Sequence, residues 1–199
     1  MKKQSSFWLA IMASLILSAC STSVERLDAQ QQIDLSGAWN DTDSQLVARE
    51  MIEDSLSRAW ISKFVKSEGK DPAVIVGRVK NLSHEHINTN TFIANMEREL
   101  INSGEVQFVA SSANRQEIRD ERADQDLNAS EATRKEMGQE YGADFMMQGQ
   151  INTIIDVDGS TQVRFYQVNL ELISIKDNRK VWIGEKKIKK LIKNSKLRG

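Results

Sequence analysis

The sequence predicts an α/β chain of the α+β kind. A small mixed, largely antiparallel sheet is flanked by helices in the order α-β-α-β-α-α-β-β-β. Three observations carry that prediction. Between residues 43 and 142, stretches with apolar residues three and four apart alternate with short β-branched runs. From residue 145 onward three strand-like segments follow one another with only short turns between them, the pattern of an antiparallel meander. The earlier β-α-β portion needs crossovers, so the sheet is mixed and the helices pack against it.

Each element has its own signal. From Asp43 to Val65, Ile52, Leu56, Trp60 and Phe64 recur every four residues, with Ile61 and Val65 beside them, so one helix is expected. Asp41 or Asp43 offers the N-cap. SEGKDP (67–72) ends the helix through Gly69 and Pro72. AVIVGRVKNL (73–82) is β-branched and reads as a mostly buried strand, followed by the polar loop SHEHINTN (83–90). Asn90 can cap a second helix to Ser103, with Phe92, Ile93, Met96 and Leu100 on one face and Gly104 as its stop. VQFVA (106–110) is a second strand.

Residues 112–126 form a charged helix almost without a core face, interrupted by Ile118 and Ala123. Ser130 can cap a further helix over 131–141, closed by Gly142. FMMQGQINTII (145–155) is the third strand, where Gly149 marks a bulge or bend. VRFYQVNLELI (163–173) puts Tyr166, Val168, Leu170 and Leu172 on one face, with Arg164, Gln167, Asn169 and Glu171 mostly on the other. KDNR (176–179) turns the chain and KVWIG (180–184) returns it.

The N-terminal stretch reads differently. Lys2 and Lys3 precede an apolar run from Phe7 to Leu17, then small Ser18 and Ala19. A charged start, a short apolar core and small residues describe a secretory signal peptide. The run is far short of the ~20 residues of a spanning helix. The only cysteine, Cys20, follows directly, and LSAC (17–20) resembles the bacterial lipobox. That resemblance implies cleavage between Ala19 and Cys20 and lipidation of Cys20, a thiolate being nucleophilic enough to take the lipid as a thioether. Ser21, where an aspartate would keep the protein in the inner membrane, favours the outer membrane by analogy with enteric sorting. The expected organisation is a signal peptide over 1–19, a lipidated cysteine with a short flexible tether over 20–35, and one periplasmic α/β domain with a basic C-terminal tail over 36–199.

Composition narrows function. Loss of 1–19 removes two lysines and no acid, leaving 25 basic against 28 acidic residues, too balanced for a nucleic-acid binder. G-x-S-x-G, H-E-x-x-H, a glycine-rich phosphate loop and C-x-x-C are all absent, so no catalytic residue, cofactor or small-molecule substrate is expected and the protein reads as a non-enzyme. His84 and His86 are the only histidines; an H-x-H pair with a carboxylate can hold zinc or copper, but a polar loop favours two solvated side chains and no metal. Two features remain for a partner. Trp182 either packs under the helices or is exposed for contact. KKIKKLIKNSKLR (186–198) carries seven basic residues and no acid, so Lys186, Lys187, Lys189 and Lys190 are candidates for an acidic partner or anionic lipid, against the plainer reading of a solvated, frayed end.

With strands and loops placed, a family resemblance emerges. AVIVGRVKNLSHEHINTNTF, LINSGEVQFVAS, YGADFMMQGQI and FYQVNLELISIKDNRKVWIGEKKIKK occur in the order seen in LpoB-type outer-membrane lipoproteins, activators of penicillin-binding proteins. Asn81 closing a strand before a polar loop, Gly104 closing a helix, Gly142-Ala143-Asp144 before a strand and Trp182 in a late hairpin match that pattern over about residues 73–190. The resemblance implies a small non-enzymatic α/β domain that binds and stimulates a class A penicillin-binding protein, a bifunctional peptidoglycan synthase. The family's characterised tether is long and proline-rich; here about 15 residues without proline stand in its place, reaching at most roughly 50 Å. The alternative is a structural or assembly lipoprotein of the same fold serving another envelope complex.

Overall fold

A computed structural model describes residues 26–28, 31 and 33–193. Cys20, the expected cleavage site and residues 194–198 of the basic tail lie outside them. By its internal contacts the chain divides into the units Met1–Gln32 and Ile33–Gly199. In the described part of the first, the Gln31 amide donates to the Asp28 carbonyl.

Helix α1 spans Asp41–Leu56, and its cap is Asn40 rather than Asp41 or Asp43. The Asn40 side chain accepts from the Asp43 amide at 3.0 Å, and the Asp43 carboxylate accepts from the Asn40 amide at 3.0 Å. Asp43 is thus the reciprocal half of a capping box. The single helix expected over 43–65 is two helices, α1 and α2 (Trp60–Glu68). The break has a local cause. The Ser55 carbonyl, which would serve the next helical turn, accepts instead from the Arg58 amide and from the Trp60 indole at 2.7 Å. The change of direction brings Trp60 and Phe64 edge-on to Phe145, with ring centroids 5.1 and 5.2 Å away.

Strand β1 is Ala73–Leu82, with the bounds the sequence predicts. Helix α3 covers Thr89–Ser103 and is capped by Asn88, two residues ahead of the expected Asn90. It ends on Gly104, whose φ of 68° only glycine adopts freely. The expected strand 106–110 shrinks to β2, Gln107–Phe108, because it sits at the sheet edge and pairs only with Ala73 and Val74. Helix α4 is Ser112–Asn128 and buries none of its residues, as its charge pattern requires.

No helix forms over 131–141, contrary to the sequence expectation. Ser130 heads one turn, accepting from the Thr133 and Arg134 amides, and Gly138 then takes φ 80°. That segment has no apolar face to bury and is held to α4 by polar contacts. Glu140 accepts from Arg119 at 2.7 Å, and the Lys135 amide donates to Gln125 at 3.1 Å.

The meander completes the sheet with β3 (Phe145–Asp158), β4 (Thr161–Ser174) and β5 (Lys180–Lys193). Strand order is β2-β1-β3-β4-β5; β1 runs parallel to β2 and β3, and the remaining pairs are antiparallel. The fold class is therefore the predicted one, with the element order α-α-β-α-β-α-β-β-β. The bulge lies on β1, not on β3. Val76 and Val79 face Met147 and Gly149, so β1 carries the extra residue. Helices α1 and α3 pack together over one face of the sheet, where Val47, Ile52, Phe92, Leu100, Ile151 and Leu170 are buried.

The largest correction concerns β5. The return strand does not stop at Gly184 but runs through the basic stretch, pairing with β4 as far as Lys193 opposite Thr161. Within the described residues the tail is a sheet edge, not a frayed end.

Candidate functional site

The alternation of β5 sorts the candidate residues onto two faces. Trp182, Lys186 and Lys190 point toward α1; Lys187 and Lys189 point away from it and are exposed. Trp182 is only 6% exposed, and its indole donates to Asp54 at 2.8 Å. A hydrogen bond from Arg58, and then that from Trp182, hold the Asp54 carboxyl below the usual carboxylate range. Trp182 is part of the core and offers a partner no free surface.

The two inward lysines have acidic partners on α1. Lys186 is ion-paired with Glu50. Lys190 lies 2.6 Å from Asp43 and 2.9 Å from Asp34, and donates to the Ala38 carbonyl at 3.0 Å. The spacings agree. Seven helical residues rise ~10.5 Å, and four strand residues ~13 Å, so Glu50 and Asp43 can each meet a lysine. Burial works against charge on Lys190, but the Asp43 and Asp34 carboxylates outweigh it and hold its pKa above the usual lysine value. Lys190 fastens the start of the folded unit to the end of β5.

A second fastening was invisible in the sequence. Glu85, in the loop read as solvated, accepts from the Tyr166 hydroxyl at 2.7 Å, from Arg164 at 2.8 Å and from the Trp39 amide at 3.1 Å. Tyr166 is fully buried; burial first, and the Glu85 carboxylate second, push its phenol far above the usual tyrosine range. Of the two histidines in that loop, His84 meets Thr153 at 2.9 Å. Among the described residues, no group of three His, Cys, Asp or Glu side chains is placed to hold a metal ion.

Several concave regions remain among the described residues. A groove of about 710 Å³ between α2 and the β4–β5 turn has Trp60, Phe64 and Phe145 at its floor. Its rim charges are largely paired, Glu68 with Lys176 and Asp177 with Arg179. Another is a depression of about 390 Å³ on the sheet face opposite α1 and α3, lined by Arg78, Lys80, Gln148, Gln150, Asn169 and Glu171 among others. Among the described residues no helix packs on that face, and Lys187 and Lys189 extend it along β5. There Glu171 is held below the usual carboxylate range by its hydrogen bond from Lys180 and then by that from Gln148.

This geometry defines a small α+β domain with a sealed helix-covered face and an open sheet face. The family model described as peptidoglycan-synthase activator LpoB matches residues 43–188, and the chain belongs to that family. The match takes in every element from α1 to most of β5. Among solved structures, the C-terminal domain of LpoB from Escherichia coli is 15% identical over 73% of this chain and 98% of that one, with a TM-score of 0.40. The same domain from Salmonella enterica is 15% identical over 64% and 91%, with a TM-score of 0.35. Lipoprotein GNA1162 from Neisseria meningitidis is 15% identical over 62% and 86%, with a TM-score of 0.42. No curated protein matches the chain.

Proposed function

We propose that this protein is a lipid-anchored periplasmic activator of a peptidoglycan synthase of the class A penicillin-binding type. The carrying observation is the activator-family match over residues 43–188 in a chain that also reads LSAC at 17–20. On this reading residues 1–19 are removed, Cys20 is lipidated in the outer membrane, and residues from 36 on form the periplasmic domain. It stimulates by contact and performs no chemistry itself. Of the basic candidates on β5, Lys189 has no ion pair among the described residues and Lys187, exposed, is paired only with Glu185 of its own strand; Lys186 and Lys190 are engaged with α1. The short tether supports the rival reading of an assembly lipoprotein. A relaxed coil of about 15 residues averages only roughly 20 Å, so the synthase has to come most of the way itself.

Cys20→Ala is expected to move the protein out of the membrane fraction and abolish palmitate incorporation while the domain stays folded. Crosslinking in intact cells followed by pull-down should recover a synthase with the native chain and much less with the variant. A variant that stays in the membrane and still labels would contradict the anchor. Recovery of only a different envelope complex would favour the assembly reading.

A further inference from the structure

The open sheet face has an unusual composition. Gln148, Gln150 and Asn152 on β3 and Gln167 and Asn169 on β4 form a block of five carboxamides. All five are half-buried, with no helix among the described residues above them. Propensity does not account for this. Exposed strand positions favour threonine and β-branched or aromatic residues, and asparagine is disfavoured. Gln148 donates to Glu171 and Gln167 donates to Asn169. Among the described residues the Gln150 and Asn152 side chains make no hydrogen bond, leaving both donors and both acceptors free.

Charge on this face runs against the rest of the chain. Arg78, Lys80, Lys180, Lys187, Lys189 and Lys193 share it with Glu171, Glu185, Asp156 and Asp158, a cationic surplus in a chain of net charge −1. Lys180 is paired with Glu171 and Lys187 with Glu185. Arg78, Lys80, Lys189 and Lys193 have no ion pair among the described residues, and neither do Asp156 and Asp158 at the far end of β3, so the unpaired charges still leave a cationic surplus. Arg78 and Lys80 border the amide block from β1, with Lys80 opposite Gln150.

We infer that this face binds an extended N-acetylated glycan that carries carboxylates, the chemistry of a peptidoglycan strand. Carboxamides exchange hydrogen bonds with hydroxyl and N-acetyl groups, each offering both a donor and an acceptor. Free cations at the margin meet the carboxylates. The groups repeat at ~4.8 Å across strands and about 6.8 Å along them. Such an open array suits a polymer held by many weak contacts; a small molecule takes an enclosed pocket. A folded protein partner, whose affinity concentrates in apolar and aromatic anchors, would seat on the end of the face where Ile154, Phe165 and Leu191 lie; the amide block itself contains none. The inference rests on the periplasmic reading above for bringing the domain within reach of such a glycan.

The test pellets the full-length protein, in non-ionic detergent, with purified peptidoglycan sacculi. Saturable co-sedimentation that weakens with salt is expected. Gln150→Ala with Asn152→Ala should raise the half-saturating sacculus concentration about tenfold. Arg78→Gln with Lys80→Gln should raise it about fivefold and flatten the salt dependence. Lys63→Gln, on α2, should change nothing. Thermal midpoints matching the native chain show that any loss is not unfolding. No pelleting beyond protein alone at low salt, or full binding by both double variants, would overturn the inference. So would competition by polyglutamate equal to that by soluble glycan fragments, which marks an acidic protein's docking surface, or a dimer mass that the amide variants abolish. Sacculus binding without synthase stimulation would remove the functional reading and leave this one standing; the reverse pattern would remove this one alone.

Discussion

Lys190→Met should destabilise the domain by roughly 3 kcal/mol. Lys190 is 9% exposed and so is its partner Asp43, and taking one member from a buried pair costs about 3–5 kcal/mol. The low end applies because Asp43 keeps the Asn40 amide and sits in the first turn of α1, where the helix dipole favours an acid. For a domain of this size the melting midpoint falls on the order of 10 °C. Adding Asp43→Asn should recover part of the loss, since the two sites share one interaction. The pH dependence has a definite sign. The folded pKa of Lys190 is raised, so its stabilisation is fully present below the unfolded lysine pKa. It is lost as pH rises through the higher folded value. The gap between native and variant stability should therefore narrow above about pH 10.4. A variant that melts with the native protein at neutral pH would show that Lys190 is a surface residue.

Gly149→Ala should be at least as damaging, about 3 kcal/mol or more. A β-carbon built on Gly149 would lie 2.1 Å from the Asn169 carbonyl oxygen and 2.6 Å from the Leu170 side chain. The Leu170 side chain can turn; the Asn169 carbonyl belongs to the β3–β4 ladder and cannot move without breaking it. Gly149 also faces Val79 just past the β1 bulge, so β3 is constrained from both neighbours. Gly142→Ala, where nothing lies within 4 Å, is the matched control and should change stability by under about 0.5 kcal/mol. Chemical denaturation of both variants measures the difference. Equal midpoints would mean that the strands are not this closely paired at Gly149.

What could be read from the sequence was local. Ala73–Leu82 is a β-branched run bounded by Pro72 and a polar loop, and nothing competes with strand there. The faces of β4 follow from strict alternation, and Tyr166, Val168, Leu170 and Leu172 are all buried; Arg164, expected on the other face with Gln167, keeps that alternation and shares the Tyr166 face, where both meet Glu85. What could not be read depended on distant partners. The helix break after Leu56 needs the Trp60 indole at Ser55 and the Phe145 ring, which arrives from β3. Lys186 and Lys190 look solvated until α1 sets Glu50 and Asp43 opposite them. A signal was present: Trp182, Ile188 and Ile192 continue one period-two face on which both lysines fall. Glu85 gave no signal, because its partners Tyr166 and Arg164 are some eighty residues away. The open face was half legible. Gln167 and Asn169 were assigned away from the core, but their meeting with Gln150 and Asn152 needed the strand register.

The central claim is stimulation of a synthase by contact, and the most direct measurement is polymerisation of lipid-linked peptidoglycan precursor by a purified class A penicillin-binding protein. Added full-length protein should raise the rate saturably and form a complex with the synthase at the same concentrations. An unchanged rate, with no complex detected, would contradict the account.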